Sequence, residues 1–236
     1  MTSDASPFPG NSRKTAARVW EPPSFERLAE RLGQRLQGAL PGRAAHRDFP
    51  HELAYGRHSG PPPVNARPAA VLILLYPHQQ QWHLPMLLRP SHMAAHAGQV
   101  AFPGGMTEPG ESPEQCAARE AFEELGIDPE GLLFLGRLSP IFVFASNFRV
   151  TPCVAVGAAR PEFRAQPEEV DEVIELPLTE LWNPTRQGRH VVRRQGIEFE
   201  VPHIEYSDRR IWGATRMLLG ELQHLIETLA CRTTDF

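Results

Sequence analysis

Gly105 to Ile127 reads GMTEPGESPEQCAAREAFEELGI, and the spacing within it decides the fold. Glu111 follows Gly105 after five residues, Arg119 and Glu120 follow after seven more, and Glu123, Glu124, Leu125, Gly126 and Ile127 close the run. Ser112 is a good helix N-cap, Pro113 suits the first helical position, and Gln115 stands where a capping box has its second partner. Gly126 is where a helix C-terminus takes a left-handed residue. The spacing predicts a helix over 113–125. On it Glu120, Glu123 and Glu124 are related by i, i+3 and i, i+4 and share one face. Ala118, Ala121, Phe122 and Leu125 fall on the other side, which is expected to bury against a sheet.

Three carboxylates on one face repel one another by a few tenths of a kcal/mol per pair, roughly. A cation among them removes that cost. Hard oxygen ligands in this number favour Mg²⁺ or Mn²⁺, with phosphate oxygens and water completing the shell. No histidine or cysteine clusters here, so zinc is not expected. Arginine and glutamate alternating on a helix usually form a salt-bridged surface. The flanking glycines and the distant Glu111 argue for a site instead.

The run resembles the Nudix box, G-x5-E-x7-R-E-U-x-E-E-x-G-U, with every polar and glycine position filled and Ala121 and Ile127 in the apolar slots. At roughly 0.07 per fixed position, seven fixed positions match by chance about 10⁻⁸ of the time at any one start, which rules out accident. The resemblance implies an α/β/α sandwich and hydrolysis of a nucleoside diphosphate linked to another moiety. It also implies site roles. Glu120 and Glu124 become metal ligands, and Glu123 becomes a third ligand or the base that deprotonates water. Arg119 pairs with a box carboxylate, Glu111 being one candidate, and Gly104 and Gly105 let the backbone turn tightly ahead of the helix. A glutamate beyond the box serves some members as base or ligand; Glu169, in the acidic run PEEVDEVIELP, is similarly placed but equally fits a solvated loop.

Upstream, HAGQVAFPGG (His96 to Gly105) is similar to the signature of the coenzyme A diphosphatases, a Nudix subfamily, roughly L-L-T-x-R-[SA]-x3-R-x3-G-x3-F-P-G-G. Arg89, Gly98, Phe102, Pro103, Gly104 and Gly105 match; Leu87, Pro90 and Ala94 depart, Ala94 standing where the pattern has a second arginine. The resemblance implies a coenzyme A-like substrate cut to adenosine 3′,5′-bisphosphate and a phosphopantetheine portion. Arg89, at a strand end, suits phosphate binding because a guanidinium grips phosphate bidentately. His96 is either a substrate contact or a hydrogen-bonded loop residue. Trp212, in a WGxT-like element expected to open the last helix, reads as a packing residue. ADP-ribose, a dinucleoside polyphosphate or a damaged NTP are alternative substrates, and a non-catalytic nucleotide sensor is an alternative function.

The 236 residues, 41% of them hydrophobic, suffice for one medium α/β domain with an extension. No apolar run reaches membrane-spanning length, and the N-terminus lacks a signal pattern. Cys116, Cys153 and Cys231 are odd in number and far apart, which points to reduced thiols and a cytoplasmic protein. The net charge of −4 argues against nucleic acid as a partner.

Residues 1–18 are small and polar and are expected to be disordered. Residues 19–68 read as an N-terminal helical and coil extension. Phe25, Leu28, Leu32, Leu36 and Leu40 recur at helical spacing, for packing on the domain or in a homodimer, and a Pro-rich coil follows from Pro41. The catalytic domain is placed at 69–230, with 231–236 as a tail. Strands are expected over 70–76, 82–88, 99–102, 132–138, 149–156 and 173–176. A segment at 141–147 is expected to line the pocket, a helical turn over 177–182, and a hairpin of 191–194 with 198–204. The closing helix is expected over 212–229. Together these give a mixed sheet between helices.

Overall fold

Twelve residues, Arg67–His78, form strand β1 at the centre of the protein. In the computed structural model, residues 25–46, 62–93, 96–194 and 196–231 are described. The continuous apolar run of β1 is buried on both faces, as a central strand requires. Ala69, Ile73 and Leu75 belong to one core and Ala70, Leu72, Leu74 and Tyr76 to another, so the strand's alternation divides two hydrophobic layers.

The sheet also contains β2 (Gln81–Leu88), β3 (Val100–Ala101), β4 (Gly104–Met106), β5 (Leu132–Arg137), β6 (Ile141–Val143), β7 (Phe148–Gly157) and β8 (Glu172–Pro177). Its main path runs β3-β2-β1-β7-β5, with β4 on β1, β6 on β7 and β8 on β2. β1 and β7 are parallel from Arg67↔Phe148 to Leu75↔Val156, and the other pairings are antiparallel, so the sheet is mixed. A separate sheet, β11-β10-β9, is built from β9 (Gln187–Arg194), β10 (Ile197–Tyr206) and β11 (Arg209–Trp212).

Helix α3 (Pro113–Leu125) covers one face of the main sheet; α1 (Phe25–Leu36) and α4 (Gly213–Cys231) cover the other. The expected α/β/α sandwich is therefore present. Leu28, Leu32 and Leu36 of α1 are buried against β5 and α4, while Leu40 lies beyond the helix end and is only partly buried. A short helix α2 (Arg43–His46) follows and packs on α4. Residues 1–18, most of the Pro-rich coil and Ala94 lie outside the described residues.

Several expectations need correction. Trp212 ends β11 rather than opening the last helix, which starts at Gly213 with a positive φ of 65°. Its pairing with His203 in β10 fixes it as strand. Cys231 belongs to α4, not to a tail. Phe122 is 57% exposed. The small stripe Ala117 and Ala121, together with Glu124, faces the sheet and lets α3 sit close, which leaves Phe122 at the rim. Gly104 and Gly105 do not form a tight turn but strand β4, paired with Val71 and Ala70. The helical turn expected over 177–182 is present, as a 3-10 turn over Leu178–Trp182 with Pro177 at its N-cap.

Candidate active site

The termini of α3 fix the site. Ser112 and Gln115 form a reciprocal capping box: the Gln115 N–H donates to Ser112 Oγ at 3.2 Å, and the Ser112 N–H donates to Gln115 Oε1 at 2.8 Å. Gly126 closes the helix with φ 70°, its N–H donating to the carbonyls of Phe122 and Ala121. The loop before β8 then reaches back, the N–H groups of Arg164 and Gln166 donating to the carbonyls of Leu125 and Glu124. The helix is thus held at both ends, and its side chains point from a rigid base.

Arg119 is the hub of the acidic cluster. Its Nε and Nη2 grip both oxygens of Glu111 at 2.9 and 3.1 Å, and Nη1 reaches Glu120 at 2.9 Å and Glu123 at 3.1 Å. Nη2 also donates to the Met106 carbonyl at 3.1 Å, which ties the cluster to β4. The Arg119 hydrogen bond holds the Glu111 carboxyl below its usual range, and Glu111 in turn raises the arginine further.

The three glutamates of α3 stand in three environments. Glu123 is exposed, with 55% of its side chain accessible. Glu120 is half-buried, and burial, helped by the charges of Glu123 and Glu169, raises its pKa against the opposing pull of Arg119. Glu124 is buried. Loss of solvent pushes its pKa to about 8, despite the N–H of Gly104 donating to it at 2.9 Å and Arg89 Nη1 standing 3.8 Å away. The charges of Glu120 and Glu169 add to the shift. Glu169 itself is exposed, on the loop tied to the end of α3.

The two glycines of β4 make this packing possible. A Cβ on Gly104 would lie 2.3 Å from the carbonyl oxygen of Ala70, and one on Gly105 would lie 2.4 Å from Glu120 Oε1. The Glu120 carboxylate therefore rests on the bare backbone of Gly105.

Across β4 lies a cavity of about 830 Å³. Arg89, His96, Gly104 and Gly105 line one part of it. The loop that presents Arg89 and His96 is closed by its own backbone: Arg89 N–H to Gln99 O, Gly98 N–H to Arg89 O and Gln99 N–H to His96 O. His96, at φ 58°, has its Nδ1 2.9 Å from Gln99 Oε1. The box glutamates do not line the cavity; they meet its edge through Gly104, Gly105 and Arg89.

The segment expected at 141–147 does line the cavity, with Ile141, Phe142 and Phe144 in its apolar wall, and Phe148 of β7 lies beside it. Trp212 lines it too and packs edge-on against His190, with ring centroids 5.5 Å apart. Arg67 completes another part of the wall and was not singled out by the sequence. The sequence places it in the coil ahead of the strand expected at 70–76, whereas β1 begins at Arg67 itself.

Among the described residues, no three histidine, cysteine, aspartate or glutamate side chains converge as a ready metal site. Arg119 stands among Glu111, Glu120 and Glu123, while Glu124 is turned to Gly104. The donor chemistry nevertheless fits a hard divalent cation. Every donor is a carboxylate oxygen, the ligand type such a cation takes, and Glu120 and Glu124 have raised pKa values because burial strips water from their charged forms.

A family model described as the NUDIX domain matches residues 66–195. The chain is 38% identical over 160 residues to a protein of Enterobacter sp. (strain 638) named "Uncharacterized Nudix hydrolase NudL", spanning 67% of this chain and 82% of that one. A protein of the same name from Pectobacterium atrosepticum is 36% identical over 157 residues, spanning 66% and 81%. A solved structure of a Nudix hydrolase from M. Smegmatis, RenU, superposes with a TM-score of 0.50 at 17% identity, over 69% of this chain and 87% of that one, a likeness of fold. No helix among the described residues is long and apolar enough to cross a membrane.

Proposed function

Since the chain belongs to the Nudix hydrolase family, which acts on phosphoanhydride bonds of nucleotide-linked substrates, we propose that its substrate is coenzyme A or a derivative, cut to adenosine 3′,5′-bisphosphate and a phosphopantetheine portion. The observation that carries this reading is the meeting at Gly104 and Gly105 of two elements. One is the Arg89–His96 loop, whose HAGQVAFPGG sequence is similar to the coenzyme A diphosphatase signature; the other is the acidic helix.

Members of the family generally act with divalent cations, here assigned as Mg²⁺ or Mn²⁺ held by Glu120 and Glu124, with Glu123 as third ligand or base. When bound, the cation neutralises diphosphate charge, polarises the P–O bond and lowers the pKa of water. The chain's own residues supply position. Arg119, fixed by Glu111, orients Glu120 and Glu123. The missing side chains of Gly104 and Gly105 let β4 lie close against β1 and beneath the Glu120 carboxylate, so that this strand carries both the acidic helix and part of the cavity wall. Arg89, its Nε buried and without a hydrogen-bond partner, is suited to grip a phosphate oxygen. Glu124 must shed the proton that burial favours before it can serve as a ligand. Glu169 is a further acceptor near Glu120 and Glu124. Buried, unpaired Cys116 and Cys153 support placing the enzyme in the cytoplasm.

The test is a substrate panel with Mg²⁺ or Mn²⁺, products identified by mass. Release of adenosine 3′,5′-bisphosphate from coenzyme A is expected. Preferred turnover of ADP-ribose or a dinucleoside polyphosphate would overturn the coenzyme A assignment.

A further inference from the structure

Arg67 opens β1 directly opposite Phe148 of β7. Its guanidinium carbon lies 4.2 Å from the centroid of the Phe148 ring, and Nη2 donates to the Ser146 carbonyl at 2.9 Å. Two restraints hold the planar group in place, yet among the described residues no carboxylate pairs with it. Arg193, also in the cavity wall, is bound to Glu198 at 2.5 Å. Arg89 at the diphosphate end has Glu124 at 3.8 Å. Arg67 is thus a restrained, solvent-exposed cation with no carboxylate partner among the described residues, on the wall of a ligand-sized cavity.

Its distance from the acidic helix follows from register. Val71 pairs with Gly104, whose N–H meets Glu124, and Arg67 stands four residues earlier on the same strand. At about 3.3 Å per residue the two backbone positions are about 13 Å apart. The cavity wall at the Arg67 end includes Phe148 and Phe144, with Trp212 also lining the cavity, surfaces that suit a base or an apolar arm.

We propose that Arg67 is a specificity-determining residue that binds a second anionic group of the substrate, separate from the diphosphate. This rests on the coenzyme A reading above. Two parts of such a substrate can supply the anion: the phosphate on the ribose, or a carboxylate at the end of an acyl chain. Each presents a pair of anionic oxygens to which a guanidinium can donate two hydrogen bonds.

The experiment compares wild type, Arg67→Lys and Arg67→Ala in the full-length protein, with coenzyme A, dephospho-coenzyme A, acetyl-coenzyme A and malonyl-coenzyme A as substrates. If the ribose phosphate is the anion, Arg67→Ala raises KM for coenzyme A by about tenfold or more, as loss of a charge-assisted hydrogen bond predicts, with kcat nearly unchanged. Dephospho-coenzyme A is then unaffected, and Arg67→Lys recovers part of the loss. If the acyl carboxylate is the anion, the KM increase is confined to malonyl-coenzyme A. No change, or an equal change on all four substrates, overturns the proposal. Calorimetric binding of adenosine 3′,5′-bisphosphate and of AMP reads the phosphate contact without turnover. Absence of turnover by the wild type therefore sinks the coenzyme A reading, whereas equal binding of both ligands by wild type and Arg67→Ala, with no malonyl-specific effect, sinks only the role of Arg67.

Discussion

Glu124, in the last turn of α3, accepts the backbone N–H of Gly104 at 2.9 Å, so a buried carboxylate joins the acidic helix to the glycine strand that edges the cavity. Glutamine keeps an oxygen that can accept the same bond but removes the charge. Glu124→Gln and Glu120→Gln are therefore expected to lower diphosphate hydrolysis by about two orders of magnitude or more, with melting temperatures close to wild type. Steady-state kinetics with Mg²⁺, alongside thermal melts, measure both. Full activity in either purified variant would remove that residue from the metal site.

The same carboxylate predicts a pH dependence in the cation-free protein. Burial raises Glu124 from 4.5 to about 8 in the folded state. The folded chain therefore binds this proton more tightly than the unfolded chain does. Its contribution to stability is full below about pH 4.5 and is lost as pH rises through about 8. Melts in EDTA should show stability falling from pH 6 to pH 9 relative to Glu124→Gln, which has no such proton. Mg²⁺ should restore wild type at pH 9 and have little effect on the variant. Identical pH profiles for the two proteins would contradict the assignment.

Gly104 and Gly105 are adjacent, yet alanine should act differently at each. At Gly104 the new Cβ meets the Ala70 carbonyl and the Val71 Cα, backbone that cannot rotate away, and φ is +155°. Gly104→Ala is expected to cost about 1–3 kcal/mol of stability. At Gly105 the clash is with the Glu120 carboxylate, the far end of a side chain, which can swing aside at the expense of its Arg119 contact. Gly105→Ala should fold nearly as well as wild type but misplace Glu120, so kcat falls more than stability does. Urea unfolding and kinetics on both variants separate the two outcomes.

The box helix was legible almost to the residue because each signal in it is local. Ser112, Pro113, Gln115 and Gly126 specify its ends through contacts within a few positions. β1, β2 and β7 were legible because long apolar runs have few alternatives. What escaped depends on distant partners. β4 has three residues and exists only because it pairs with β1, and β11 ends at Trp212 because β10 lies beside it. Phe122 was placed in the core on periodicity, but alanines at 117 and 121 turn the helix so that Glu124 is buried instead. Arg67 had no motif around it; its place in the cavity follows from the parallel register of β1 with β7.

Arg119 should not be replaceable by lysine. Its guanidinium contacts both oxygens of Glu111 while also holding Glu120, Glu123 and the Met106 carbonyl. An ammonium is a point donor and cannot reproduce this fork. Arg119→Lys is expected to lower kcat about tenfold or more and to weaken Mg²⁺ activation, because Glu120 and Glu123 lose their fixed directions. A Mg²⁺ titration of the rate reads both effects. Unchanged kcat and half-saturating Mg²⁺ would show that Glu111 and Arg119 form a structural pair only.

Glu221 of α4 is buried, with Ser139 N–H at 3.2 Å, Ser139 Oγ at 2.6 Å and His46 Nε2 at 2.8 Å from its carboxylate. One side chain thus joins α4, the segment leading into β6, and α2 in the N-terminal extension. Glu221→Ala strands the Ser139 N–H in a partly buried position, which costs about 1–3 kcal/mol. Glu221→Gln retains acceptor and donor atoms and should cost less. The segment held by Ser139 runs on to Ile141 and Phe142 in the cavity wall, so the alanine variant is also expected to raise KM. Urea unfolding and substrate kinetics on the two variants test this order; an alanine variant as stable as wild type would mean that the three contacts contribute nothing to holding the extension in place.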